Sequence, residues 1–284
     1  GLALPPMLGD AGAVPDFSKL PQTQRPPKPV SGGTLLALAD GRSVVAADPD
    51  RARLDVVDVV ARQVRRTVAL NPGDEPGRAV EDGAGRVHVV LRGGGAIATL
   101  SASDRSLEAR RAVCPAPRGI AYDGTADALV VACAGGELVT LPAAGGAPTR
   151  SLMLEKDLRD VVVDGDRIYV SVFRKGEVLA IARGATAPSR MTLPPLPNMF
   201  RKSERSNGTE RFEAAVAWRM LPRKGGGVTL LHQRAFTGEV PLTATDGGGY
   251  GGGSCSGVVQ SAVSAIGAGG KAITGPALGG LVLG

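Results

Sequence analysis

Short apolar runs separated by glycine- and aspartate-rich turns dominate the chain from about residue 32 onward. Three segments each run from an arginine through an apolar stretch into an Asp-Gly pair, namely Arg78 to Gly83, Arg118 to Gly124 and Arg159 to Gly165. After each turn comes a second apolar run, then a glycine-rich turn and a third run. Apolar runs of this length between turn residues predict β-strands. No stripe at the helical period of about 3.6 residues is visible in any copy.

The strand pattern repeats at a fixed interval. Asp82, Asp123 and Asp164, the aspartates of the three turns, lie 41 residues apart. An earlier copy has its turn at Asp40, and a fifth copy follows in residues 214–233. A period of about 40–45 residues with several strands per unit is typical of a β-propeller built from four-stranded blades. The sequence therefore predicts an all-β fold with four to five β-propeller blades, an incomplete part of a seven-bladed ring.

Changes in composition divide the chain into two parts. Residues 1–31 contain seven prolines and little periodicity, which predicts an extended tether. Residues 32–284 hold the blades, with insertions expected near 185–210 and 238–257, where prolines with charges and a glycine-rich loop break the period.

The Asp-Gly-anchored repeats over residues 33–236 resemble the YVTN-like and NHL-like propellers of secreted and surface bacterial proteins. This resemblance implies a propeller fold and a place in the periplasm or at the cell surface, but little about function. We expect a non-catalytic binding or scaffold module, because no nucleophile, metal-ligand or acid-base set stands out. Residues 37–50, Leu231-His-Gln-Arg-Ala235 and the glycine-rich loop before Cys255 look like a narrower group, exported propellers followed by a c-type cytochrome or di-haem peroxidase-like domain. Since the chain has no Cys-x-x-Cys-His, that alternative places haem c in a domain beyond residue 284.

An arginine precedes the turn glycine by five or six residues in four copies: Arg78, Arg118, Arg159 and Arg219. The first strand of each propeller blade lines the central channel, so we expect these side chains to converge at the channel mouth. Converging guanidinium groups suit an anionic ligand or an acidic protein partner. The alternative interpretation is that they pair with the nearby acids and tie the blades together; those acids are Asp74, Glu75, Asp157 and Asp160.

Few other residues suggest a catalytic or ligand-binding role. His232 is a candidate axial haem ligand or general base. The alternative for His232 is a packed histidine in the core, which is the role that we expect for His88. No nucleophile, metal-ligand cluster or acid-base set stands out, so we assign no catalytic or metal-binding residue and favour no enzymatic role for this segment. A metal-dependent propeller hydrolase or lyase would need His, Asp or Glu at the first-strand positions that arginine occupies.

Three cysteines, Cys114, Cys133 and Cys255, lack the spacing of metal ligands. They allow one bridge and one free thiol. In an exported protein Cys114 with Cys133 is the favoured pair, because both lie in one repeat and close a short loop.

Charge and hydropathy limit the classes of partner that the chain is expected to bind. The 33 basic and 27 acidic residues give only a mild positive excess, and no dense basic run has aromatics interleaved with it, which argues against nucleic acid. Polar residues interrupt the apolar segment 257–284, so we predict no membrane span. The N-terminal sequence shows no signal peptide, which leaves open a lipid anchor attached through a signal already removed.

Overall fold

The computed structural model describes residues 34–197, 211–238 and 258–278, and all regular elements in these ranges are β-strands. They form five antiparallel sheets in which each strand pairs with the next along the chain. Blade I contains β1 (Leu35–Ala37), β2 (Ser43–Asp48), β3 (Arg53–Asp58) and β4 (Gln63–Ala69). Blade II contains β5 (Pro76–Glu81), β6 (Val87–Leu91), β7 (Ala96–Leu100) and β8 (Leu107–Ala112). Blade III contains β9 (Pro117–Asp123), β10 (Ala128–Cys133), β11 (Glu137–Pro142) and β12 (Arg150–Met153).

The last two sheets continue the series. Blade IV contains β13 (Leu158–Asp164), β14 (Arg167–Val172), β15 (Glu177–Ala182) and β16 (Ser189–Met191). Blade V has five strands, β17 (Leu196–Pro197), β18 (Arg211–Pro222), β19 (Val228–Phe236), β20 (Val259–Ile266) and β21 (Ala272–Leu278). The predicted all-β propeller fold is confirmed, and the fifth repeat is a blade.

The segment predicted as an insertion near 185–210 is partly strand. Ser189–Met191 is the fourth strand of blade IV, and Leu196–Pro197 pairs with β18 in blade V. The prolines and charges of this segment, which break the repeat period, are the basis on which the sequence predicts a loop. Three segments lie outside the described residues: the predicted tether 1–31, residues 198–210, and residues 239–257 of the second predicted insertion.

The core lies between the blades. Strands β6, β7 and β10 are buried along their whole length. One hydrophobic cluster spans each successive pair of blades, from I–II to IV–V. Because an inner blade packs on neighbours through both faces, its middle strands are apolar on both sides rather than alternating.

The two terminal sheets expose apolar side chains. Among the described residues, no hydrophobic cluster joins blade V to blade I. Leu35 on blade I is 70% exposed, and Ile273 on blade V is 58% exposed. The described blades therefore pack in chain order, each on the next, and the blade number of the complete ring stays a prediction.

Leu129 tests this inter-blade core, because its fully buried side chain packs in the cluster between blades II and III. We expect Leu129→Ala to lower the free energy of unfolding by about 2–5 kcal/mol. The matched control Leu35→Ala, at an exposed position, should change it by less than about 0.5 kcal/mol. Urea unfolding of the purified chain measures both, and equal effects would contradict the packing described.

Candidate functional site

The first strands of blades II to V each carry a β-bulge. At each bulge the first strand has one residue more than the second strand opposite, which turns a side chain out of the regular alternation. The bulged segments hold Arg78 in β5, Arg118 in β9, Arg159 in β13 and Trp218 in β18. The bulges thus aim three arginines and one indole away from the sheets.

These four side chains line one cavity of about 240 Å³. Arg92 contributes a fourth guanidinium group, and blade I contributes Thr34 and Pro49. Residues of all five blades meet here, as expected for the axis of a propeller. The structure therefore brings together Arg78, Arg118 and Arg159, three of the four arginines that the repeat pattern singles out.

Arg219 lies differently from the other three. Strand β18 of blade V has two bulges, and the second holds Trp218, one residue before the position that alignment on the turn glycine predicts. Trp218 therefore lines the cavity, and Arg219 does not. The Nε atom of Arg219 lies 3.9 Å from a carboxylate oxygen of Asp160. The repeat pattern did not single out Arg92, because that pattern concerns first strands and Arg92 follows the second strand of blade II. The three glycines after Arg92 were the only signal in the sequence of an unusual turn.

Arg159 packs against two aromatic rings. Its Cζ atom lies 4.2 Å from the ring centroid of Phe173 and 4.2 Å from that of Trp218. Such cation–π contacts stabilise a guanidinium group without neutralising it. No carboxylate of the described residues lies within salt-bridge distance of Arg159, and its buried Nε has no hydrogen-bond partner. Burial, followed by repulsion from Arg78 and Arg118, lowers the pKa of Arg159 to about 10, so the side chain stays charged at neutral pH.

Carboxylates balance part of this charge. Arg118 donates a hydrogen bond of 2.7 Å to Asp157. Buried Asp160 accepts the backbone N–H of Met220 at 2.8 Å and lies 3.9 Å from Arg78. Acidic side chains therefore link blades, as the alternative interpretation expected. Burial lowers the pKa of Arg78, although the attraction of Asp160 acts in the opposite direction.

The predicted acid partners do not all face the cavity arginines. Asp74 pairs with Arg110 at 2.7 Å instead. Glu75 lies 3.9 Å from Arg92. The four guanidinium groups of the cavity thus meet the carboxylates of Glu75, Asp157 and Asp160 within 4 Å, which leaves a positive excess centred on Arg159.

Gly119 lets blades III and IV approach closely beside the cavity. A Cβ atom at this position would lie 2.7 Å from the carbonyl oxygen of Arg159 and 2.9 Å from the Cα atom of Asp160. Only glycine fits such a backbone contact. The contact fixes the separation of the two strands that carry Arg118 and Arg159.

Both histidines lie in the core. His232 donates from Nδ1 to the carbonyl oxygen of Gln233 at 2.9 Å, and its Nε2 lies 2.8 Å from the hydroxyl of Ser264. Burial lowers the pKa of His232 to about 4, which keeps the ring neutral. His88 is likewise buried, between Asp82 and Thr99. This geometry gives His232 a packing role inside blade V and leaves no ring nitrogen to ligate a haem iron.

Cys114 and Cys133 form a disulfide. It joins the segment before β9 to the last residue of β10, beside the bulge that holds Arg118. The third cysteine, Cys255, lies outside the described residues. Within the described ranges there is no cluster of three or more His, Cys, Asp or Glu side chains that could hold a metal, and no helix long and apolar enough to cross a membrane.

Solved structures with the same architecture are β-propellers. A hydrazine synthase chain of Kuenenia stuttgartiensis aligns with a TM-score of 0.64 at 15% identity, over 84% of this chain and 64% of that one. A streptogramin B lyase aligns at 0.57 with 11% identity, over 87% and 83% of the two chains. Virginiamycin B lyase of Staphylococcus aureus aligns at 0.55 with 9% identity, over 84% and 82%.

The present chain thus spans less than two thirds of the hydrazine synthase chain that it matches. The sequence matches no family model and no curated protein. At these identities the likeness shows the fold alone.

The buried neutral state of His232 predicts a pH-dependent stability. Its pKa is about 4 in the folded chain against an ordinary value of 6.5, so between these values only the unfolded chain binds the proton. We therefore expect the free energy of unfolding to fall by about 2–3 kcal/mol as the pH drops through this window. Burial also lowers the pKa of His88, which acts in the same direction. Urea unfolding at several pH values measures the slope, which should be smaller in His232→Gln; an unchanged slope would refute this role.

Proposed function

We propose that this chain is a non-catalytic β-propeller binding module that holds an anionic group, a carboxylate or phosphate, at the channel mouth. One observation carries the proposal: Arg159, packed against Phe173 and Trp218, has no carboxylate partner among the described residues and opens onto a cavity lined by three further guanidinium groups. A bound anion would neutralise the remaining positive charge. Hydrogen bonds between ionised partners are about twice as strong as neutral ones.

The size of the cavity limits the ligand. A volume of about 240 Å³ falls below the range of about 300–1,000 Å³ typical of pockets for drug-sized molecules. It suits a small oxyanion, or one acidic side chain that a protein partner inserts. Both sources present the same chemistry to the arginines, so binding experiments with a free anion and with an acidic peptide distinguish them.

The proposal includes a periplasmic or extracellular location. The Cys114–Cys133 disulfide supports it, because such bonds persist in oxidising compartments and are rare in the cytosol. A haem c domain beyond residue 284 stays a prediction. Structural neighbours include a synthase and lyases by name, but a likeness in fold carries neither activity to this chain.

The anion site predicts a specific effect of one arginine. Arg159→Ala should weaken the binding of inorganic phosphate at least about tenfold, the effect of one lost charge-assisted contact. The matched control is Arg167→Ala, which removes the same charge from an exposed position at the opposite end of blade IV. Isothermal titration calorimetry at low salt measures both variants and the parent chain.

Binding of two probes, inorganic phosphate and a glutamate-rich peptide, then identifies the source of the anion. Tight phosphate binding with little affinity for a glutamate-rich peptide favours a free oxyanion, and the reverse favours a protein partner. Equal losses in the two arginine variants would reduce the effect to net charge and overturn the site. Absence of binding to both probes would overturn the proposed function.

The proposed location predicts the oxidation state of the chain in its natural source. Thiols are blocked at lysis, and the denatured chain is then reduced and labelled with a mass tag. Since two of the three cysteines are bridged, we expect two tags per chain after reduction. Chains without any tag would show that the cysteines are reduced in the cell and would contradict an extracytoplasmic location.

A further inference from the structure

A continuous series of backbone hydrogen bonds runs around the channel mouth from blade III to blade V. Ala134 N–H donates to the carbonyl oxygen of Ala116 at 2.9 Å, and Asp157 N–H donates to that of Ala134 at 2.8 Å. Phe173 N–H donates to Asp157 at 2.8 Å, and Ala217 N–H donates to Phe173 at 2.7 Å. We call these five residues and their four bonds the mouth belt. It links three blades through main-chain contacts alone.

The side chains of the cavity are attached to this belt. Asp157 carries the carboxylate that accepts from Arg118, and Phe173 carries the ring under Arg159. Trp218, the other ring beside Arg159, directly follows Ala217. The belt therefore sets the relative positions of the groups that orient Arg118 and Arg159.

The disulfide closes around the first bond of the mouth belt. Cys133 immediately precedes Ala134, and Cys114 lies two residues before Ala116. Cys133 is fully buried, whereas Cys114 is only half-buried. The bridge thus holds the two chain segments that start the belt, at the end of blade III where Arg118 emerges from its bulge.

We propose that Cys114–Cys133 and the mouth belt form a positioning device for the anion site, so that closing the disulfide raises its affinity for anions. This inference rests on the proposed function and adds its dependence on oxidation. Reduction of the bridge by an external dithiol, which is itself oxidised to a disulfide and leaves two thiols on the chain, frees the start of the belt. The displacement reaches Asp157 and Phe173 through their shared backbone bonds. Arg118 and Arg159 then lose the fixed spacing that lets both contact one anion, because preorganised groups bind without a further ordering cost.

The test compares the oxidised chain with the double variant Cys114→Ala/Cys133→Ala, using inorganic phosphate as the probe. We expect about tenfold weaker binding in the variant, the cost of one misaligned charge-assisted hydrogen bond. Amide hydrogen exchange without phosphate should accelerate at Ala134, Asp157 and Phe173. The amide of Leu70 in blade I, which donates to Ala52, serves as the reference and should keep its rate.

Loss of stability by itself is controlled with Leu54→Ala, whose fully buried side chain packs in the cluster between blades I and II, away from both cysteines and the mouth belt. Its phosphate affinity should stay within twofold of the parent chain at a temperature where all variants are folded. Equal weakening in both variants, or unchanged affinity in the cysteine variant, would overturn the inference.

The two proposals fail in different ways. If the oxidised chain binds no phosphate and no acidic peptide, the proposed function fails, and the exchange rates alone then report on the belt. If phosphate binds with equal affinity to the oxidised chain and the cysteine variant, the anion site stands and its coupling to the disulfide is refuted.

Discussion

Packing of each sheet on its neighbours through both faces is the constraint on which this structure depends. The middle strands of the inner blades are buried on both sides, so they tolerate few polar side chains. His88, in a middle strand of blade II, has internal hydrogen-bond partners, and so does His232 in blade V. Because burying an unpaired polar group is costly, polar chemistry is directed to the strand ends and to the axis.

The axis imposes a second condition, since the first strands converge there. Charges from different blades come close together, and four guanidinium groups share one cavity. Three influences offset their repulsion: the carboxylates of Asp157 and Asp160, the aromatic rings around Arg159, and solvent at the open mouth. The aromatic contacts differ from the carboxylates in one respect, because they hold the cation without cancelling its charge. The anion site proposed here depends on this kind of support, because Arg159 keeps its charge.

Backbone contacts connect the core to this site. Gly119 allows blades III and IV to touch beside the cavity, and the mouth belt continues the contact to blade V. The disulfide lies at the beginning of that series. The inter-blade packing, the channel arginines and the Cys114–Cys133 disulfide are therefore connected by a continuous set of contacts, which the proposed coupling requires.

The sequence determined the class of fold and indicated where arginines of successive blades meet. The interval of 41 residues between the Asp-Gly turns fixed the blade as the repeating unit, and arginines ahead of those turns predicted convergence at the axis. Both are local patterns that follow from strand and turn preferences. Only the tertiary structure decided that Trp218 and not Arg219 lines the cavity, and that Arg92 joins it. The reason is that a β-bulge depends on how a strand pairs with its neighbour. One extra residue in the bulge redirects a side chain, and no local sequence pattern predicts it.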